Sequence, residues 1–178
     1  MALLVFLRGV NVGGHRRFRP AALVKELAHL GAVNIGAAGT FVIRKRVSRA
    51  ALRAELARRL PFETQVMICE GREIVNVVSR DPFAREMARP DIVRFVSVLS
   101  RAPRELPTLP LHLPPRGPWL VRVIARDGPF VFGQYRRHMK TIGYLGTLDR
   151  MLGTSATTRN WNTIGTVIKI LKADGERD

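Results

Sequence analysis

Ala2-Leu3-Leu4-Val5-Phe6-Leu7-Arg8-Gly9-Val10-Asn11-Val12-Gly13-Gly14 opens the chain with six apolar residues and then breaks. A near-continuous apolar run of this length is the pattern of a strand buried on both faces. The glycines of 9–14 end it. Working outward, Pro20 suits the first turn of a helix whose apolar positions are Leu23, Val24, Leu27 and Leu30, with Gly31 just past its end. Val33–Gly36 and Phe41–Ile43 read as short strands around a glycine-containing turn. Ser48 suits an N-cap, Leu52, Leu56 and Leu60 form the next helical stripe, and Pro61 stops it. Glu63–Cys69 is a further strand. The order strand, helix, strand, strand, helix, strand is the split βαβ of a ferredoxin-like unit.

The second half is less regular. Gly71–Arg80 reads as a helix with Ile74, Val77 and Val78 inward, ended by Asp81-Pro82. Ile92–Leu99 is a strong strand. Ala102–Pro118 carries six prolines and reads as loop, with room for a short helix. Trp119–Ala125 and Phe130–Gln134 flank Asp127-Gly128, a hairpin signal. Leu145–Leu152 and Thr163–Ala173 read as helices, the last with Ile164, Val167, Ile168 and Leu171 on one face. The expected architecture is α+β with two ferredoxin-like subdomains. A first subdomain spans 1–80. A second α+β subdomain spans 81–178 and holds the proline-rich connection and the C-terminal helix. The boundary lies near Asp81–Pro90.

The 178 residues carry a formal charge of +16, from 30 Lys and Arg against 14 Asp and Glu. Five of the basic residues are lysine and 25 are arginine. Residues 1–60 hold 12 basic and two acidic side chains, so the first third alone is +10. Codon bias in a GC-rich genome replaces Lys by Arg but does not by itself create net charge. The charge favours polyanions: nucleic acid, anionic lipid heads or phosphorylated metabolites. Hydrophobic content of 46% with zero mean hydropathy excludes a disordered polyelectrolyte. One cysteine excludes an internal disulfide framework and a Cys-rich zinc site. Cys69, within Val66-Met67-Ile68-Cys69, reads as a buried, inert thiol. The apolar start is short and ends at Arg8, unlike a signal peptide, and no apolar run is long enough to span a bilayer. A cytoplasmic location and no membrane partner are the expectation.

Two segments stand out as sites. In the first, a glycine-rich loop after a strand can aim backbone N–H groups at an anion. Arg8, Asn11, Gly13, Gly14 and His15 are its ligand candidates, with Arg16 and Arg17 beside them. The loop matches neither a P-loop nor a dinucleotide fingerprint. On residues alone it reads more readily as a tight turn beside a solvated basic run. The second is Thr157-Thr158-Arg159-Asn160-Trp161-Asn162-Thr163, just before the last helix. Asn160 or Asn162 can cap that helix, whose N-terminus is a natural anion site, and Arg159 adds charge. Thr158, Arg159, Asn160 and Asn162 are therefore ligand candidates. The alternative is a packing motif, with Trp161 as anchor and Arg159 on a nearby carboxylate or carbonyl. The runs Arg44-Lys45-Arg46 and Arg136-Arg137-His138-Met139-Lys140 supply further nucleic-acid candidates in Arg44, Lys45, Arg46, Arg136, Arg137 and Lys140. A charge run also serves simply as a solvated face.

Catalytic signals are few. His15, His29, His112 and His138 are scattered, without metal-ligand spacing, and no metal is expected. No nucleophile elbow or S-x-x-K motif occurs, no cofactor fingerprint is present, and the acids form no sequence-local pair.

The two segments together resemble the bacterial domain-of-unknown-function 1697 family. Leu7-Arg8-Gly9-Val10-Asn11-Val12-Gly13-Gly14 matches its early L-R-G-I-N-V-G-G pattern, and Thr157–Thr163 its late T-x-R-N-W-N-T pattern. The first helix, Leu30-Gly31 and Asp81-Pro82-Phe83 also fit. The resemblance implies a cytosolic α+β protein of two ferredoxin-like subdomains and no established activity. One stretch departs from it. Where the family shows Gln-Ser-Gly-Asn, this chain has Ala37-Ala38-Gly39-Thr40. If those polar groups serve a ligand site, this member has altered it; if they serve a turn, Gly39 suffices.

Three functions follow from these readings. The leading one is a binder of a phosphate-bearing ligand, nucleic acid before a phosphorylated small molecule. The second is a small-molecule enzyme with its site between the two motifs. The third is a structural or protein-interaction module whose charge aids solubility.

Overall fold

Strand β1 (Leu3–Leu7) has all five side chains buried, as its unbroken apolar run requires. It lies at the centre of a four-stranded sheet in a computed structural model that describes residues 2–11, 17–103, 105 and 107–175. Its neighbours are β3 (Thr40–Ile43) and β4 (Val66–Glu70), both antiparallel, with Val5 opposite Phe41 on one side and Ile68 on the other. β2 (Ala32–Ile35) completes the order β2-β3-β1-β4. Helix α1 (Pro20–Glu26) starts on proline and passes into a 3₁₀ turn closed by Gly31 at φ 63°. Helix α2 (Arg49–Arg59) is capped by Ser48, whose Oγ accepts from Ala51 N at 3.1 Å. Leu23 and Leu27 join Leu52 and Leu56 on the β1 face that carries Leu3, Val5 and Leu7. Leu4 and Phe6, pointing to the other face, are buried as well. Helix α3 (Gly71–Ser79) follows β4 directly.

The second sheet contains β5 (Ile92–Leu99), β6 (Leu111–Leu113), β7 (Val121–Asp127), β8 (Phe130–Arg136) and β9 (Ala156–Asn160), in the order β6-β7-β8-β5-β9. Every pairing is antiparallel. Gly128, at φ 55°, makes the β7–β8 hairpin turn. Helix α4 (Thr141–Met151) places Leu148 in a core with Phe95, Leu99, Val121, Val123 and Val131. Without β6, the order β7-β8-β5-β9 repeats that of the first sheet. The molecule is thus α+β with two ferredoxin-like antiparallel sheets.

Three elements differ from the sequence expectation. The proline-rich stretch contains a strand, β6, at the sheet edge. Residues 156–160 form a strand rather than a loop before the last helix. That helix, α5 (Trp161–Gly175), begins at once after β9. The chain forms two compact units, Met1–Asn76 with Asn162–Asp178, and Val77–Trp161. Residues 162–175, expected with the second subdomain, therefore group with the first. The Asp174 carboxylate accepts from Arg44 Nε at 2.8 Å, and Leu171 lies against Gly71.

Candidate functional site

In the first unit the strand β1 delivers Arg8 to the rim of the sheet. Its backbone N–H donates to Gln65 O at 3.0 Å, its carbonyl accepts from Thr64 Oγ1 at 2.6 Å, and Nη1 donates to Gln65 Oε1 at 3.0 Å. Arg8 and Gly9 line a cavity of about 1010 Å³ whose wall includes Arg53, Leu60, Phe62, Glu63 and Thr64. Arg53 Nη1 donates to Val66 O at 2.7 Å, which orients its guanidinium at the cavity. Two guanidiniums and an apolar wall in one cavity suit a ligand with an anionic and an apolar part.

Asn11 has a different task. Its Nδ2 donates to Phe18 O at 3.2 Å and Ala37 O at 2.9 Å, while its Oδ1 accepts from Phe18 N at 3.0 Å. The Asn11 backbone sits at φ 54°, a region Asn tolerates better than most residues. Asn11 thus staples the base of the glycine-rich loop to the 36–40 turn. Gly13, Gly14, His15 and Arg16 lie outside the described residues. Arg17 is exposed. Gly39 closes against the same motif. It donates no side chain, its carbonyl accepts from Leu7 N at 2.8 Å, and a Cβ there would lie 2.7 Å from Val10 Cγ2. Ala37 and Ala38 are exposed at the tip of the turn.

The basic run after β3 is divided. Arg44 pairs with Asp174. Lys45 and Arg46 are exposed. A cavity of about 560 Å³ at the start of α2 is lined by Arg46, Arg49 and Arg72, with Ser48 and Glu70. Glu70 and Glu73 hold Arg49 at 3.6 and 2.9 Å, and Glu70 holds Arg72 at 2.5 Å, so carboxylates of the chain already meet much of that charge.

The second motif is placed mostly inside the second unit. Thr158 Oγ1 lies 2.7 Å from Ser97 Oγ on the adjacent β5. Arg159 is 6% exposed, and its Nη1 donates to Thr157 Oγ1 at 2.7 Å and Thr158 O at 2.9 Å. Burial pushes its pKa down to about 10. Arg159 is thus a buried residue of a strand rather than a surface cation, in keeping with the packing alternative. Trp161 packs edge-on against Phe83 and Phe132, at centroid distances of 5.0 and 5.9 Å. Asn160 is exposed on the residue preceding α5, and Asn162 lies within that helix and in the first unit.

From the other basic run, Arg136 is a strand residue. Its Nη1 meets Asp91 Oδ2 at 3.2 Å, and its guanidinium lies over Trp119 at 4.6 Å. Arg137 and Lys140 are exposed between β8 and α4. Residues with no sequence signal join it: Arg122 over the same indole at 4.8 Å, with Nε donating to Gln134 Oε1 at 2.8 Å and Nη2 meeting the Glu86 carboxylate. No local motif marks Arg53, Arg122 or Gln134, since pairing between distant strands and loops brings them to their sites.

Among the described residues, no three His, Cys, Asp or Glu side chains gather as a metal site. Cys69 is buried, and desolvation raises its pKa far above the ordinary thiol range. Among the described residues no helix is long and apolar enough to cross a membrane.

The fold resembles that of a solved structure described as a conserved bacterial protein, SP0830, from Streptococcus pneumoniae. The two are 16% identical with a TM-score of 0.62, over 96% of this chain and 98% of that one. No curated protein matches the chain. The sequence pattern of the family described as "Protein of unknown function (DUF1697)" matches residues 1–111, so the chain belongs to that family.

Proposed function

We propose that this protein binds a phosphate-bearing ligand, nucleic acid in the first instance, through its first unit. The observation that carries the reading is the cavity of about 1010 Å³ in which Arg8 and Arg53 share a wall with Leu60 and Phe62. Guanidinium forks match phosphate oxygens, and the apolar wall accepts a sugar or base face. Among the described residues the cavity wall includes one carboxylate, Glu63, and no His or Cys. That composition supports binding rather than acid–base or nucleophilic chemistry. Lys45, Arg46 and Arg17, all exposed, extend the positive surface for a longer polyanion. A cytoplasmic location accords with such a ligand.

Titration of labelled single-stranded RNA and DNA of about 12 nucleotides against increasing salt tests this. The expected result is affinity that falls steeply with salt. Arg8→Ala and Arg53→Ala should each cost about tenfold, the range of a charge-assisted hydrogen bond. The Lys45→Glu/Arg46→Glu pair should flatten the salt slope by about two contacts. Absence of binding at low salt, or binding indifferent to all four positions, would overturn the reading.

A further inference from the structure

The second sheet carries a polar row that strand pairing puts in line. His112 on β6 is opposite Arg122 on β7, Arg122 is opposite Gln134 on β8, and Gln134 is opposite Arg94 on β5. Directly paired residues project to the same face, so four consecutive strands present these side chains side by side. Strand spacing makes the row about 14 Å long. The face opposite holds Phe95, Val123 and Val131, the apolar core beneath α4.

Gln134 is fully buried. Its Oε1 accepts from Arg122 Nε, and a guanidinium only donates, so the amide orientation is set. Its Nε2 is then a buried donor without a partner, the other unmet buried side-chain atom among the described residues being an acceptor, Asn34 Oδ1. Native proteins rarely leave a buried donor unmet, and such a group calls for an acceptor. Around it the chemistry is nearly all donor. Arg94 Nη2 donates to Glu86 O at 2.6 Å, and Arg122 Nη2 meets the Glu86 carboxylate. Burial, and then the Arg136 charge, lower the Arg122 pKa.

Glu86 belongs to the irregular stretch between α3 and β5. It covers the β5 end of the row. The β6 end is open, with His112 exposed, Trp119 half-buried and the Arg136 side chain 32% exposed. We propose that this row is a binding track for single-stranded nucleic acid, and that the Glu86 carboxylate occupies a phosphate position on Arg122. A row of donors across four strands fits a chain of phosphates better than one phosphate group. The Trp119 indole at its edge offers a face on which bases stack. Exchange on Arg122 requires the Glu86 side chain to rotate away, and access to Gln134, fully buried, and to Arg94, which lies over the Phe83 ring at 5.3 Å, requires the stretch that carries Phe83 and Glu86 to move with it. The track lies in the second unit and uses none of the first-unit cavity. It shares with the proposed function only the class of ligand.

Fluorescence anisotropy with a labelled single-stranded oligonucleotide, on full-length protein, tests it. Glu86→Gln keeps the shape and removes the competing charge. It should tighten binding about tenfold at low salt and steepen the salt slope by about one contact. Adding Arg122→Met to Glu86→Gln should abolish that gain. In a Trp161→Phe background, the oligonucleotide should quench Trp119 emission. Unchanged or weaker binding in Glu86→Gln, with an unaltered circular dichroism spectrum and melting temperature, would overturn the inference. Equal quenching by inorganic phosphate, or by an acidic peptide, would overturn it too. The two sites separate cleanly. Loss with Arg8→Ala and Arg53→Ala but no response to Glu86→Gln leaves only the first-unit reading standing. The converse pattern leaves only this one.

Discussion

The two sheets share one strand order but spend their faces differently. In the first, β1 is buried on both sides, Leu3, Val5 and Leu7 on one and Leu4 and Phe6 on the other. In the second, the equivalent central strand β5 also buries both faces, Phe95, Ser97 and Leu99 on one and Val96 and Val98 on the other, but that other face ends at Arg94 in a row of polar side chains. The connections differ in the same sense. Helix α1 and its 3₁₀ turn lead from β1 to β2 in the first sheet. The proline-rich stretch with its extra strand β6 leads from β5 to β7 in the second, and helix α4 and Leu113 of β6 cover that core. A common topology therefore fixes where strands lie but not which faces remain available for chemistry. The first unit keeps its charge off the sheet, in loops at Arg8 and Arg46 and on helix α2 at Arg49, Arg53, Arg58 and Arg59. The second places it on the sheet itself.

The largest predicted effect asks whether each sheet depends on a glycine for a different reason. At Gly133 in β8 an added Cβ would fall against the Phe95 ring and 2.5 Å from the Arg122 carbonyl oxygen. A strand glycine of this kind marks close approach, and neither a core ring nor a backbone carbonyl can yield cheaply. Gly133→Ala should cost about 3 kcal/mol or more in urea unfolding. At Gly39 the demand is conformational as well: φ is +73°, and a Cβ would meet Val10 and Leu7 at 2.7 and 2.8 Å. Gly39→Ala should cost about 2–3 kcal/mol. A Gly133→Ala protein as stable as the parent would show that the second sheet is looser than the first, and would break the comparison.

The next effect separates scaffold from site within the first unit. Asn11 and Arg8 belong to the same motif, yet Asn11 spends all three hydrogen bonds described above on the backbone of Phe18 and Ala37. Asn11→Ala should cost about 2 kcal/mol of stability, since it unmakes those bonds and forces Ala into the left-handed region. Asn11→Gly should recover about 1 kcal/mol of that loss by removing the backbone strain alone. Oligonucleotide affinity per folded molecule should stay within about twofold of the parent, well short of the tenfold loss expected for Arg8→Ala. An Asn11→Gly protein that is stable but no longer binds would move Asn11 into the ligand site.

This pair also shows what a sequence can and cannot reveal. The first sheet was readable because its strands are apolar runs and its helices carry local signals: Pro20, Gly31 and Ser48 each sit at the helix end where their chemistry belongs. β9 was not, because Thr157-Thr158-Arg159-Asn160 lacks an apolar alternation and gains its strand only by pairing with β5. The role of Asn11 was hidden because its partners lie 7 and 26 residues away. The row through Gln134 was hidden for the same reason. His112, Arg122 and Arg94 are unremarkable singly and become a feature only through register. The recurring glycine at position 39 was legible as a turn, but its steric cause, the Val10 and Leu7 side chains, belongs to tertiary structure.

The smallest effect tests whether charge in the second unit is a burden where it is buried. Arg159, at 6% exposure, has its pKa pushed down to about 10 by desolvation, below the value of an ordinary arginine. Between those two values the unfolded chain holds the proton that the folded chain gives up. Stability contributed by this site therefore rises with pH across that window, and below about pH 10 the cost of burying the charge is fully present. Other groups titrate there as well, so the comparison must be with Arg159→Met, which fills similar space without the charge. Relative to that variant, the parent protein should gain about 1 kcal/mol of unfolding free energy between about pH 9 and about pH 11. A flat difference for Arg159→Met would mean that the Thr157 and Thr158 oxygens, with the rest of its surroundings, already compensate the buried charge. The second unit would then carry its interior arginine without cost, as the first carries its surface ones.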